Sequence, residues 1–202
     1  YNLDLSGTYI NLSHEKEKIK IRTLLNTNGN FNLNQVQKIN SVMGLNIKNF
    51  KDINGDIDLK TTINFYLNNN FKIKELDYKT QGNIRALQLI LNKEKGLRKY
   101  LPDFKNSITL KNSKIKFTKS KTQHSTELIG SFKLNEFFDE FMLKENFNST
   151  KKIFNLETQV SLNNSKILIP NLNFEKLVGK ESKLSFNTNF IVGKFYNLRN
   201  LD

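Results

Sequence analysis

Alternation at period two governs this chain. Between Ile53 and Gly82, after a turn read at Gly55, apolar or small residues fall at every second position: Ile57, Leu59, Thr61, Ile63, Phe65 and Leu67. Asp58, Lys60, Thr62 and Asn64 stand between them. Such a run predicts a strand with one apolar and one wet face. Asn68, Asn69 and Asn70 supply a turn, and Phe71 and Ile73 restart the alternation on the way back.

Most of the chain repeats this theme. Short strands are expected at Tyr1–Leu5, Thr8–Leu12 and Lys18–Leu25, the last two joined by the charged turn from His14 to Glu17. Asn26 to Asn30 reads as a loop rich in residues that tolerate positive φ. Phe31 and Leu33 open another short strand. From Asn34 the period lengthens: Val36, Ile39, Val42 and Met43 predict an amphipathic helix over 34–43, with Asn34 as N-cap and Gly44 as C-cap. Gly82 to Leu91 fits either period and is read as a strand, followed by a helical turn from Gly96 to Leu101 closed by Pro102. Ile108–Leu110 and Lys114–Thr118 predict a hairpin across Lys111, Asn112 and Ser113, and Leu128–Leu134 another strand. Asn135 ahead of Phe137, Phe138, Phe141 and Met142 predicts a second short helix over 135–143. Alternation then returns at Leu156–Leu162, Lys166–Ile169, Asn171–Phe174 and Lys183–Val192, punctuated by Asn163 to Ser165, Pro170 and Gly179.

The expected fold is therefore mainly β: an antiparallel, meandering, curved and groove-like sheet with two short amphipathic helices. Phe31 to Asn34 and Phe132 to Asn135 have the same residue pattern and the same succession of predicted elements, at a period of about one hundred residues. That spacing suggests an organisation in which 1–30 ends a preceding β repeat, 31–130 is one repeat and 131–202 a second, partial one. The chain opens at Tyr1 without a methionine, so a piece of a longer repeat protein is expected. Two short helices cannot cover so many one-sided strands. Either the sheet closes on itself or its apolar face is covered by something else, and exposed apolar surface of that extent usually marks a binding site.

Composition narrows the chemistry. The absence of cysteine among the 202 residues removes disulfide frameworks, thiolate catalysis and cysteine-based zinc sites. A net charge of +13, from 32 Lys+Arg against 19 Asp+Glu, suits an anionic partner or simply a solvated lysine surface. The lysines are dispersed, and only Lys111 to Lys121 approaches a patch. No apolar run nears the roughly 18 residues of a membrane-spanning helix.

Candidate catalytic sites are missing. His14 and His124 each sit in polar sequence without a second ligand at metal spacing, and both read as surface residues. Asp52, Asp56 and Asp58 resemble a calcium loop, but its closing glutamate position holds Ile63. No nucleophile elbow, phosphate loop or dinucleotide fingerprint occurs, and an enzyme is not expected. Lys114, Lys116 and Lys119 interleave with Ile115 and Phe117 as on a base-stacking sheet, yet period two sends Phe117 to the face opposite Lys114 and Lys116. Nucleic acid is not the expected partner. No cofactor is expected. A fibre or adhesin-type structural module, without a ligand, is the alternative reading.

The order of a short helix, a loop, the run Asn54-Gly55-Asp56-Ile57-Asp58-Leu59, a polar turn, an alternating strand and Gly82 resembles the AsmA-like superfamily of Gram-negative envelope proteins. A second, degraded copy runs from Leu134 and Asn135 to Leu162 and on to Phe186, with Leu156 to Gln159 where the first copy has Asn54 to Asp56. The resemblance implies a segment of a repeating β-groove in the periplasm, anchored in the inner membrane outside this segment and flanked by neighbouring repeats of the same chain. It implies passive shelter and transfer of phospholipid toward the outer membrane, with acyl chains on the apolar floor and headgroups in water. The residues expected on that floor are Ile57, Leu59, Ile63, Phe65, Leu67, Phe71, Ile73, Ile115, Phe117, Val160, Leu162, Ile167, Ile169, Phe174, Leu184 and Phe186.

Overall fold

In the computed structural model, which describes residues 3–15, 18–43, 47–93, 96–191 and 194–201, alternation has been spent on one very large sheet. Its strands are β1 (Leu3–Asp4), β2 (Tyr9–Glu15), β3 (Lys18–Asn32), β4 (Phe50–Leu67), β5 (Ile73–Leu91), β6 (Ser107–Lys119), β7 (Gln123–Lys133), β8 (Asp139–Asn148), β9 (Ile153–Ser161), β12 (Lys183–Ile191) and β13 (Lys194–Leu201). They lie in the order β1-β3-β4-β5-β6-β7-β8-β9-β12-β13, with β2 also paired to β3, and every pairing is antiparallel. The path is open rather than closed as a barrel. A separate ribbon, β10 (Ile167–Ile169) with β11 (Phe174–Lys176), fills the excursion between β9 and β12.

The long strands arise where alternation continues through residues that usually turn. In β3, Leu25, Thr27, Gly29 and Phe31 keep one face while Asn26, Asn28 and Asn30 keep the other, so the expected loop is strand. Gly55, read as a turn, lies inside β4. The Phe31 ring occupies the space its Cβ would need. Lys111 to Ser113 does not reverse the chain either: β6 runs through, and the extra residue becomes a bulge with Asn112 at φ 49°. The Ser113 side chain is fully buried there, against Gly130, where any Cβ would collide with it. A bulge absorbs one residue while the flanking ladder continues.

The first helix is present as α1 (Leu33–Met43). Its cap is Asn32 rather than Asn34. Asn32 Oδ1 accepts from Gln35 N at 3.2 Å, and Gln35 Oε1 accepts from Asn32 N at 2.9 Å, the reciprocal arrangement of a capping box. The proposed C-cap, Gly44, lies outside the described residues.

The second helix, expected over 135–143, does not form. Residues 134–137 bend, and β8 starts at Asp139. Helical spacing in Phe137, Phe138, Phe141 and Met142 competes with the alternation Phe141, Leu143, Glu145, Phe147, and the alternating pattern gains ladder bonds to β7 and β9 on both sides. One sheet runs through both expected repeat units, with β7 continuous across 130/131.

Outside this sheet the chain is thinly packed. Among the described residues the buried apolar side chains are Ile53, Ile84, Phe104, Leu110 and Phe132. Four of them lie in β4 to β7 toward one end of the sheet, which is joined by the 92–106 connection through Leu91 N to Asn106 O at 2.8 Å. That connection carries a single helical turn, Leu97–Lys99, and is tied to β10 by Leu168 N to Tyr100 O at 2.8 Å.

Candidate functional site: a two-faced sheet

Residues directly opposed in an antiparallel ladder share a face, so pairing registers can be followed from strand to strand. One row reads Thr27, Leu59, Gly82, Ile115, Leu128, Leu143, Thr158, Phe186 across eight strands. Another carries Phe141, Val160 and Leu184. The matching row on the reverse face reads Asn26, Lys60, Gln81, Lys116, Glu127, Lys144, Glu157, Asn187. Apolar residues of β3 to β9 and β12 are thus gathered on one side, and amides and charges on the other.

On the polar side opposite charges alternate along the row. Lys116 Nζ lies 3.3 Å from Glu127 Oε2, and Lys144 Nζ lies 3.9 Å from Glu157 Oε1. Arg85 joins Asp56 at 2.5 Å and also donates to Asn28 Oδ1 at 2.7 Å and to the Ile57 carbonyl at 2.9 Å. That guanidinium holds the Asp56 carboxyl below its ordinary value. These pairs tie neighbouring strands together on the wet face, and open recesses of about 570 and 420 Å³ dimple it.

The apolar side is half-exposed away from its buried end. Aromatic pairs brace it across strands: Tyr78 with Phe117 at 5.3 Å, Phe132 with Phe141 edge-on at 5.9 Å, and Phe154 with Phe190 at 4.5 Å. Gly82 is required here. Its φ of 152° and a backbone approach that leaves no room for a Cβ, which would strike the Asp58 carbonyl, exclude any other residue without rearrangement.

The expected floor residues divide into groups. Ile57, Leu59, Ile63, Phe65, Leu67, Ile115, Phe117, Val160, Leu184 and Phe186 occupy the one apolar face, and Ile73 joins its rim opposite Leu67. Phe71 sits in the turn at φ 55°, 74% exposed. Leu162 lies just past β9, donating to Ser182 O at 2.9 Å. Ile167, Ile169 and Phe174 belong to the small ribbon, where Ile169 faces Phe174, and are not brought onto the large sheet.

Sequence reasoning placed Phe141 on a helix and passed over Leu143, Phe147 and Phe154, although their own alternation was the available signal. It also passed over a polar group on the apolar face. His124 Nε2 lies 2.9 Å from Glu145 Oε1, Thr126 Oγ1 donates to Glu145 Oε2 at 3.3 Å, and the His124 ring packs on Phe147 at 4.9 Å. His124 has a carboxylate partner after all, contributed from the neighbouring strand, where spacing along the sequence does not reveal it.

A second polar cluster pins the ribbon. Lys176, 7% exposed, donates to the carbonyls of Leu162, Asn163, Ser165 and Leu177 at 2.7 to 3.2 Å. Asp139, 5% exposed, accepts from Asn164 N at 3.1 Å and from Asn164 Nδ2 at 3.1 Å. Burial lowers the Lys176 ammonium and raises the Asp139 carboxyl from their ordinary values. Both groups hold the 162–182 segment to the start of β8. Among the described residues no group of three His, Cys, Asp or Glu is placed to hold a metal, and no helix is long and apolar enough to cross a membrane.

No family model, no curated protein and no solved structure matches the chain.

Proposed function

We propose that this chain is a lipid-binding segment of a cell-envelope protein, of AsmA-like type, in which the apolar face shelters phospholipid acyl chains. The observation that carries this reading is the register: apolar side chains of β3 to β9 and β12 share one face, while the strands' principal contacts are with their sheet neighbours and, for β3 and β4, with α1. Curvature of the sheet about that face would turn it into a groove. Each methylene taken from water onto such a surface contributes about 0.8 kcal/mol, enough for one acyl chain to be held firmly. A continuous apolar floor lets the chain slide without returning to water, so transfer needs no catalysis. On this reading the protein works in the periplasm, with an inner-membrane anchor and further repeats supplied by other parts of the polypeptide.

Native mass spectrometry of the domain expressed in the periplasm, with parallel lipid extraction, tests this. Phospholipid is expected to co-purify and to be lost in Phe65→Asp and Leu143→Asp variants whose circular dichroism is unchanged. A folded wild-type domain free of lipid would overturn the reading in favour of a structural β module whose apolar face packs on protein.

A further inference from the structure

The charged and titratable side chains on the apolar face are not scattered over it. Following the registers through β3 to β9 and β12, the acidic, basic and imidazole groups are Lys119, His124, Glu145 and Asp139. Asp139 is buried at one end and occupied by Asn164. The other three lie together at the opposite end, on consecutive strands β6, β7 and β8. Lys119 is directly across from His124, and His124 is diagonal to Glu145.

Their partners leave one charge over. Glu145 is engaged by His124 and Thr126. Lys119 is exposed, its ammonium 5.7 Å from the Tyr78 ring centroid, and it pairs with no carboxylate among the described residues. Tyr78, Lys119, His124 and Phe147 meet at this end, at the margin of an open recess of about 610 Å³ whose other walls, Asn64, Asp77, Lys79, Thr118, Ser125 and Asn146 among them, belong to the polar face. A cation beside an imidazole, flanked by aromatic rings at the end of an apolar strip, suits a phosphate attached to a hydrocarbon. From His124 to Phe132 the strip extends eight residues of β7, about 26 Å, and ends at the buried cluster.

We propose that Lys119 and His124 form the headgroup subsite for the phosphate of an anionic lipid, whose acyl chain lies along β7 toward Phe132. This rests on the lipid-binding reading and adds an orientation to it. Glu145 fixes the imidazole beside Lys119, and Tyr78 and Phe147 flank the point where phosphate gives way to chain.

Titration of the whole 202-residue chain by heteronuclear NMR with three probes tests the subsite: dihexanoyl phosphatidic acid, dihexanoylglycerol and glycerol phosphate. The anionic lipid is expected to bind at least tenfold more tightly than dihexanoylglycerol and to shift the His124 ring and the Lys119 amide. Lys119→Gln is expected to bring the two lipids to equal affinity while leaving dihexanoylglycerol binding unchanged. Equal affinity of both lipids for the wild type would overturn the headgroup subsite alone. Failure of both to bind would overturn it together with the apolar-face reading. Glycerol phosphate binding as tightly as the anionic lipid would also overturn it, by making the site one for free phosphate.

Discussion

At the scale of single residues, the most consequential polar groups are the ones an alternating sheet has least reason to contain. Asp139 and Lys176 are both nearly removed from water; Asp139 is held by the backbone and side-chain N–H groups of Asn164, and Lys176 by backbone carbonyls, rather than by direct contact with each other. Burial raises the Asp139 carboxyl above its ordinary 3.8, while the Asn164 donors pull it back. A folded state that holds a proton more tightly than the unfolded chain gains stability from that proton. This contribution is complete below pH 3.8 and is lost as pH rises through the raised value. Asp139→Asn removes the titration. The urea-unfolding free energy of wild type minus variant is therefore expected to fall as the pH climbs from below 3.8 to neutrality, and a flat difference would show that the carboxyl is not perturbed.

At the scale of elements, the competition between local turn chemistry and long-range pairing decides what forms. Asn26 to Asn30, Gly55 and Lys111 to Ser113 all carry turn residues, yet each is strand because neighbours offer a ladder. The ladders lie on both sides of Gly55 and of Lys111 to Ser113; Asn26 to Asn30 pairs with β4 throughout and with β1 at Asn28 and Gly29. The period-two pattern in Leu25, Thr27 and Phe31 was legible; the presence of partners for it was not, since pairing is a property of distant segments. Phe137 to Met142 went astray for the same reason, a helical spacing overridden by pairing with β7 and β9. Ten of the residues expected on a floor share one face; alternation showed which residues go together within each strand, and the registers join the strands. The His124–Glu145 contact was not legible, because its members are 21 residues apart and meet only through the β7–β8 register. Where the helix does form, local chemistry suffices. Asn32→Ala breaks one arm of the capping box and should cost about 1 kcal/mol, read as faster amide exchange in α1 and a lowered urea midpoint. An unchanged exchange pattern would mean that packing on β3 and β4 holds the helix without its cap.

At the scale of the whole molecule, stability is carried by ladders rather than by a deep core, given how few apolar side chains are fully buried among the described residues. On the proposed lipid-binding reading, a ligand lying on the apolar face would supply a second layer. The thermal midpoint is then expected to rise with the concentration of a short-chain phospholipid, by the linkage relation, with about 2.7 kcal/mol gained at a hundredfold excess over the dissociation constant. Scanning calorimetry at a series of lipid concentrations reads this directly, and a midpoint independent of lipid would argue that the face is not the binding surface. The order of strands has a separate, mechanical consequence. From β3 to β9 every strand is bonded to the next in sequence, with α1 and the single turn Leu97–Lys99 the helical pieces among the described residues of the connections. A pull on the two ends of the chain therefore loads the outermost ladder first and reaches the next only after that one has parted. The molecule is built to yield like a zip, in successive small extensions, and to close again from whichever hairpin remains.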